Sequence, residues 1–442
     1  MTELRRALTR FDLTMIAIGS TIGSGIFLTP SLIARSLESP VLILSIWVLG
    51  GLVALSGALT FAELGGMIPR AGGVYVYLND AYGGLSGFLY GWAYLLVMNT
   101  GGIAALSLAF APYFGFLVPL GPAGIKIVAI AGLLIVTGIN IVGVRAGGIF
   151  SDIFTLLKIL GILGIIVVGF LFGSPSTIAG ASFPPVSGLS GALAVAMVGV
   201  LWSYGGWQHA SFTAAEAKDP RRGIPFAMVA GAVTVVCIYL LTNLAYMFLL
   251  SPSAIGRSEH VAADAMAAAL GPIGGSAVSV VIFTSIFGTV GIYTLTAPRI
   301  YYAMAADGVF FRKVAEVHPR FRTPATAILL QSAWAILLIL FWGTFENLIS
   351  YVVFTDWIFF ALTAASVFVF RRRMPDADRP YRTWGYPLTP LFFMAISLWF
   401  VVSTFFERPA QAWAGLVFLA LGVPVYYYWK RKARSATARN AV

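Results

Sequence analysis

Ile16-Ala-Ile-Gly-Ser-Thr-Ile-Gly-Ser-Gly-Ile-Phe27 lies inside an apolar run from about Asp12 to Arg35. It sets Gly19, Gly23 and Gly25 among Ser20, Thr21 and Ser24, where a helix facing lipid would carry leucine or valine. Glycine loosens a helix and lets it unwind. If the run crosses a membrane, unwound backbone at that depth is tolerated only where it lines a cavity or is buried in protein, because each unpaired amide costs several kcal/mol in lipid. The freed amides at the start of the second half, near Gly23 to Gly25, form a positive dipole end suited to a carboxylate. The carbonyls ending the first half, near Gly19 to Thr21, suit an ammonium. On this stretch alone, close helix packing through small residues explains the glycines equally well.

The rest of the chain supplies the membrane. Apolar residues make up 59% of the 442 positions and charged residues only 10%, against roughly 25% charged in an average soluble domain. Windows of about 20 residues, enough to cross the hydrocarbon core, are almost free of charge. We place spans at about Asp12 to Arg35, Pro40 to Ala62, Gly84 to Ala109, Ala123 to Val142 and Phe150 to Phe172. A Ser/Pro/Gly loop follows, then Leu189 to Ala214, Phe226 to Leu250, Gly275 to Met304, Ala325 to Phe341 and Leu348 to Phe370, with Leu388 to Thr404 and Ala412 to Trp429 completing twelve. The Ala-rich segment within Ser251 to Gly271 reads as a short helix over the outer mouth. No small-residue cleavage site follows the polar N-terminus, so the first helix is expected to stay.

This assignment puts both termini on one side, together with 23 of the 28 basic residues. The other side holds Arg35, Lys126, Arg257 and Arg408, and Lys158 lies inside a span. Such asymmetry is what the positive-inside rule expects of cytoplasmic termini, so the net charge of +11 reflects topology and not a nucleic-acid partner. The single cysteine, Cys237, excludes an intrachain disulfide.

The sixth span repeats the anomaly of the first at Trp202-Ser-Tyr-Gly-Gly-Trp-Gln208. Breaks in corresponding members of two five-helix halves point to an inverted-repeat transporter with its site near the midplane. The expected fold is an all-α membrane protein of twelve transmembrane helices. Residues 1–172 form the first repeat, with helix 1 broken, and 189–373 the second, with helix 6 broken. Two further helices occupy 387–429, and 430–442 is a basic cytoplasmic tail.

Further motifs occur in a specific order: Ala62-Glu-Leu-Gly-Gly-Met-Ile-Pro-Arg-Ala-Gly-Gly-Val-Tyr-Val-Tyr77, Glu216 to Pro225, Phe287-Gly-Thr-Val-Gly291 leading to Arg299, Thr323-Pro324, and Arg379-Pro-Tyr-Arg-Thr-Trp-Gly-Tyr-Pro387. With the two breaks, they make nearly the whole chain resemble the amino acid-polyamine-organocation superfamily, and within it the L-amino acid transporter family of permeases and exchangers. The resemblance implies that Thr21, Ile22, Gly23, Ser24 and Gly25 match the stretch that holds a substrate α-carboxylate. Carbonyls around Thr21, Trp202, Ser203 and Gly205 would hold the α-amino group. Trp202 falls where the family usually has a phenylalanine that closes over the substrate, a bulkier gate that favours a small side chain. Where typical members have two adjacent acids this chain has Ala215 and Glu216, and Glu216 is expected to meet Arg221 or Arg222 at the inner gate.

Two ionisable residues lie within spans. Lys158, flanked by leucines, must find acceptors at membrane depth or snorkel to water. Its position matches a family lysine that occupies the place of a sodium ion and braces helix one against helix eight, where Ser285 is the expected acceptor. Asp356, about eight residues or roughly 12 Å from the outer end of the tenth helix, is a candidate coupling or gating residue. A structural acid satisfied by a partner is the plainer alternative.

The expected function is sodium-independent exchange of small-to-medium neutral L-amino acids in the cell inner (plasma) membrane, because neither break contributes a carboxylate or an arginine to the bound side chain. The alternatives are proton-coupled symport, with Lys158 or Asp356 carrying the proton, and a cationic amino acid or polyamine permease. A membrane enzyme is disfavoured: His209, His260 and His318 are scattered, no metal cluster or cofactor motif is present, and no phosphate-binding loop appears. A channel or receptor is distinguished from a carrier by saturable counterflow. Phe110 to Gly124 lacks a cysteine, so no disulfide-linked ancillary subunit is expected.

Overall fold

The computed structural model describes residues 4–115, 119–179, 188–341, 345–407 and 409–440, and among them the chain is helical with no strand. Arg408, counted above on the outer side, lies outside the described residues. Among the described residues ten helices are long and apolar enough to cross a membrane: Arg10–Leu37, Pro40–Met67, Gly84–Phe114, Pro122–Val142, Val144–Phe172, Pro220–Leu249, Pro272–Ala306, Val352–Arg373, Leu388–Glu407 and Ala412–Ala433. The remaining two expected spans, the sixth and ninth, are the shorter apolar helices Leu189–Tyr204 and Ala325–Phe341.

Local chemistry sets where these helices begin. Thr9 and Asp12 form a capping box at the start of the first span, each side chain bonding the other's amide. Pro40, Pro122, Pro220 and Pro272 each open a helix at its first turn, where a missing N–H leaves no bond unmade. Two boundaries differ from expectation. The sixth span, expected to run to Ala214, ends as a helix at Tyr204 and continues as a short helix His209–Phe212 and a 3-10 turn Ala214–Glu216. The last helix, expected to end near Trp429, runs to Asn440, because nothing in the basic segment after Trp429 breaks a helix until the chain ends.

The broken first span is the most enclosed: 89% of its apolar window is buried, against 28% for each of the last two spans. It is surrounded by the fifth, sixth, seventh and eighth spans, so its irregular backbone meets protein and not lipid. The seventh span packs along the second, where Trp47 lies edge-on to Tyr204 and Tyr239 at 5.7 and 5.8 Å. The expected short helix is present as Val261–Leu270, preceded by Pro252–Arg257, which packs against the end of the second half-helix of the first span.

The N-terminal segment meets the connection after the sixth span, and the last helix meets the connection after the eighth. Lys218 N donates to Leu8 O at 2.8 Å, and Trp429 stacks edge-on against Phe311 at 4.9 Å. Beside them, Glu63 accepts from Arg371 at 2.9 and 2.7 Å and from the amide of Thr383 at 2.7 Å, with Arg379 3.3 Å away. Two of the motifs noted in the sequence are thereby joined by one buried carboxylate.

Candidate functional site

The first span divides into Arg10–Thr21 and Gly25–Leu37, joined by Ile22, Gly23 and Ser24. The amides of Gly23, Ser24, Gly25 and Ile26 donate to no acceptor among the described residues. They form the positive end of the second half-helix. Gly25 also serves packing: a Cβ there would lie 2.6 Å from Ser203 Cα. The two explanations for the glycines therefore both hold, because the close approach is what brings the two breaks together.

The second break spans Gly205 to Gln208. Gly206 has a φ of +130° and its Cβ would meet Ser20 O at 2.5 Å, so only glycine fits on both grounds. Ser20 Oγ donates to Gly206 O at 2.8 Å, tying one break directly to the other. Ser203 lies on the same seam, its hydroxyl 2.8 Å from that of Thr29 and bonded to Gly199 O at 2.7 Å. Trp202 Nε1 donates to Ser24 Oγ at 3.2 Å, so the indole covers the first break from the sixth span.

Of the carbonyls expected to suit an ammonium, that of Gly19 binds one together with that of Ile22 just beyond them, and the ammonium belongs to the protein. Lys158 is fully buried, and its Nζ donates to Gly19 O at 2.9 Å, Ile22 O at 2.7 Å and Thr289 Oγ1 at 2.8 Å. Three donors meet three acceptors, so the side chain does not snorkel to water. Thr289 Oγ1 is also 2.9 Å from Ile22 O and 3.1 Å from Ser285 O. Ser285 itself is not the acceptor: its hydroxyl is buried with no hydrogen-bond partner among the described residues. Residues 285 and 289 share a helix face, about 6 Å apart along the axis, and it is the second that sits at the depth of the break.

Of the other expected acceptors, Thr21 O receives the hydroxyl of Tyr239 at 3.0 Å. Trp202 O is 3.4 Å from Gly205 N, and the carbonyls of Ser203 and Gly205 accept from no donor among the described residues. The open acceptors thus lie on the sixth span and the open amides on the first, on the two segments that the close approach of Gly25 to Ser203 brings together.

Beside the second break is a small enclosed cavity between the third, sixth, eighth and tenth spans. Trp202, Gly205, His209, Tyr94, Tyr293 and Asp356 are among its lining. Tyr94 and Met98 reach it from a π-helical turn, Tyr94–Met98, within the third span, an irregularity frequent at functional sites. His209 stacks on Tyr293 at 4.3 Å, with its ring nitrogens 2.6 Å from Thr296 Oγ1 and 3.1 Å from Tyr94 Oη. Among the described residues Asp356 contributes the one carboxylate in the lining, and its Oδ1 is buried with no hydrogen-bond partner among them.

Glu216 does not meet Arg221 or Arg222. It forms a bidentate pair with Arg299, Nε to Oε2 at 2.6 Å and Nη2 to Oε1 at 2.8 Å, with both side chains fully buried. Asp219 and Pro220 start a new helix immediately after Glu216, which turns Arg221 outward to Asp378 at 2.7 Å. The backbone carbonyl of Glu216 accepts from Ala7 N and Leu8 N at 2.8 and 3.0 Å. Arg299 was visible in the sequence as the end of a motif, but nothing there indicated that it faces Glu216, 83 positions away.

The description "amino acid permease" attaches to the family model that matches residues 8–426. The chain is 33% identical to the serine/threonine exchanger SteT of Bacillus subtilis, over 96% of this chain and 97% of that protein. It is 30% identical to the b(0,+)-type amino acid transporter 1 of Mus musculus, covering 97% and 88%. It is 32% identical to the large neutral amino acids transporter small subunit 2 of Homo sapiens, covering 95% and 80%.

Proposed function

We propose that this chain, which belongs to the amino acid permease family and is an amino acid transporter and not an enzyme, carries small-to-medium neutral L-amino acids by sodium-independent exchange. The observation that carries this reading is Lys158. An ammonium with all three protons placed on the Gly19 and Ile22 carbonyls and on Thr289 is a fixed positive charge where unwound carbonyls otherwise coordinate a driving cation. With that position taken, no sodium is needed to hold the first and eighth spans together.

The substrate would lie across the seam, its carboxylate on the amides of Gly23 to Gly25 and its ammonium on the carbonyls of Ser203 and Gly205. Trp202 swings between Ser24 and solvent as the lid. Its bulk limits the bound side chain. The relatives named as a serine/threonine exchanger and as large neutral amino acid and b(0,+)-type transporters support amino acid transport. The two five-helix halves, 1–172 and 189–373, would be the inverted repeats that rock about this seam. We place the protein in the plasma membrane with both termini cytoplasmic, from the concentration of basic residues on that side. With Cys237 as its single cysteine, on the seventh span, the chain offers no disulfide to an ancillary subunit in the loop after the third span.

Asp356 favours a second reading. A carboxylate with one buried oxygen unpaired among the described residues, lining a cavity at membrane depth, is placed to carry a proton or to meet a cationic side chain. Purified protein in proteoliposomes separates the two readings. Exchange requires internal amino acid and ignores a pH gradient, whereas uptake driven by an imposed gradient into empty vesicles supports the second.

A further inference from the structure

On the side of the molecule where the basic residues concentrate, a crevice of about 650 Å³ opens between the second span, the first turns of the seventh span and the connection after the tenth. Its size falls within the range of about 300–1,000 Å³ usual for ligand sites. Its length is apolar: Leu59, Phe226, Val229 and Val233 form the walls, with Phe226 and Val233 50% and 44% exposed. Its mouth is cationic. Arg221 and Arg222 line it, and the guanidinium of Arg10 sits 5.2 Å from the ring of Phe226. Trp384, 80% exposed, stands at the same level.

The acids near the mouth leave a positive excess. Asp378 pairs with Arg221 at 2.7 Å. Asp219 caps the seventh span, accepting from the amide of Arg222 at 3.4 Å, and leaves that residue's guanidinium with no partner among the described residues. Apolar walls leading to unneutralised arginines at the end of a membrane helix, with an exposed tryptophan at the boundary, are the features of a phospholipid site. Acyl chains fill such a groove and the phosphate meets the cations. A zwitterionic lipid would bring a second cation to the same place.

We infer that this crevice binds an anionic phospholipid of the leaflet on the basic side, with its phosphate on Arg222 and Arg10 and an acyl chain along Phe226 and Val233. The site adjoins the machinery already described. Pro220–Leu249 follows Glu216 after three residues, and Lys218 N is bonded to Leu8 O. A lipid seated there would hold the start of the seventh span against the second while the sixth moves.

Quenching of Trp384 tests this without reference to transport. The full chain is reconstituted in phosphatidylcholine vesicles containing brominated phosphatidylglycerol or brominated phosphatidylcholine. The signal of Trp384 is the difference between wild type and Trp384→Phe. We expect half-maximal quenching at about thirtyfold lower mole fraction of the anionic lipid, following about 1 kcal/mol for each of the two arginines at a membrane surface. That preference should shrink towards unity in the Arg10→Gln/Arg222→Gln double variant. Equal quenching by the two lipids in wild type overturns the inference, and this comparison stands even if the double variant does not fold. Loss of the preference on adding inorganic phosphate would assign the arginines to a free anion and overturn it equally.

Discussion

Glu216 and Arg299 form a bidentate ion pair to which no solvent has access, and the same glutamate accepts the backbone of Ala7 and Leu8. The exit of the sixth span, the end of the eighth and the N-terminal segment are thus fixed at one buried point. Removing one member of such a pair strands the other charge, which costs about 3–5 kcal/mol. Glu216→Gln and Arg299→Met should each lower the unfolding temperature in detergent markedly, and the Glu216→Leu/Arg299→Met double variant should recover much of the loss. Arg221→Gln, which breaks only the exposed contact with Asp378, should change stability by about 1 kcal/mol or less. A loss at Arg221 as large as at Arg299 would contradict the pairing described here.

Lys158 holds two carbonyls of the first break and the hydroxyl of Thr289. Charge-assisted hydrogen bonds contribute about 1.5–3 kcal/mol each, so Lys158→Met should reduce exchange by about tenfold to a hundredfold through loss of the first break's geometry. Thr289→Val should reduce it less, and Ser285→Ala, which removes a hydroxyl that bonds nothing among the described residues, should be close to wild type. Counterflow of radiolabelled amino acid in proteoliposomes measures all three. An effect at Ser285 exceeding that at Thr289 would reverse the assignment.

The two breaks were legible because glycine and small polar residues interrupt two apolar runs, and composition at that depth has few physical explanations. Partners were not legible to the same degree. A span tells which residues share a face but not which turn of the face meets a given depth, so Ser285 and Thr289 were indistinguishable until the helices were placed. Sequence proximity favoured Arg221 and Arg222 for Glu216, and the helix started by Asp219 and Pro220 turned them away. The π-helical turn at Tyr94–Met98 left no compositional trace, since leucine, valine and methionine suit a regular helix equally well. The cavity beside the second break depends on four spans at once, and no periodicity within one of them reports it.

Trp202 joins the two breaks through its bond to Ser24 and forms part of the cavity wall. Trp202→Ala should enlarge the space for the bound side chain and weaken closure. Apparent affinity for small neutral amino acids should fall by about tenfold, the effect of losing roughly 1.4 kcal/mol, while larger neutral ones lose less or gain. Trp202→Phe, which keeps a ring but removes the donor to Ser24, should lie between. Binding of a panel of neutral, acidic and basic amino acids decides this, and equal affinity across the whole panel in wild type would remove the neutral substrate class.

Gly206 carries a positive φ and lies against Ser20 O. Alanine there has both a strained backbone, about 1–3 kcal/mol, and a methyl group where the two breaks touch. Gly206→Ala should therefore abolish exchange while the protein still reaches the membrane, because the clash is confined to the seam. Gly138, where an added methyl group would meet nothing within 4 Å, is the matched control, and Gly138→Ala should transport normally. Equal activity of the two variants would mean that the breaks separate without consequence.

Asp356 decides between the two functional readings, since among the described residues its Oδ1 is buried without a partner and it supplies the one carboxylate of the cavity lining. Asparagine keeps the shape and removes the ionisable group. If the protein is an exchanger whose fixed charge is Lys158, Asp356→Asn should exchange neutral amino acids within about twofold of wild type, under 0.5 kcal/mol on the transition state, with the same pH profile between acidic and alkaline buffers. That is the outcome we expect. If wild type is driven by a pH gradient and Asp356→Asn is not, the carboxylate is the proton carrier and the protein is a symporter. If instead wild type takes up cationic amino acids and the variant loses only those, Asp356 is the counter-charge of the bound side chain, and the substrate class widens while the exchange mechanism stands.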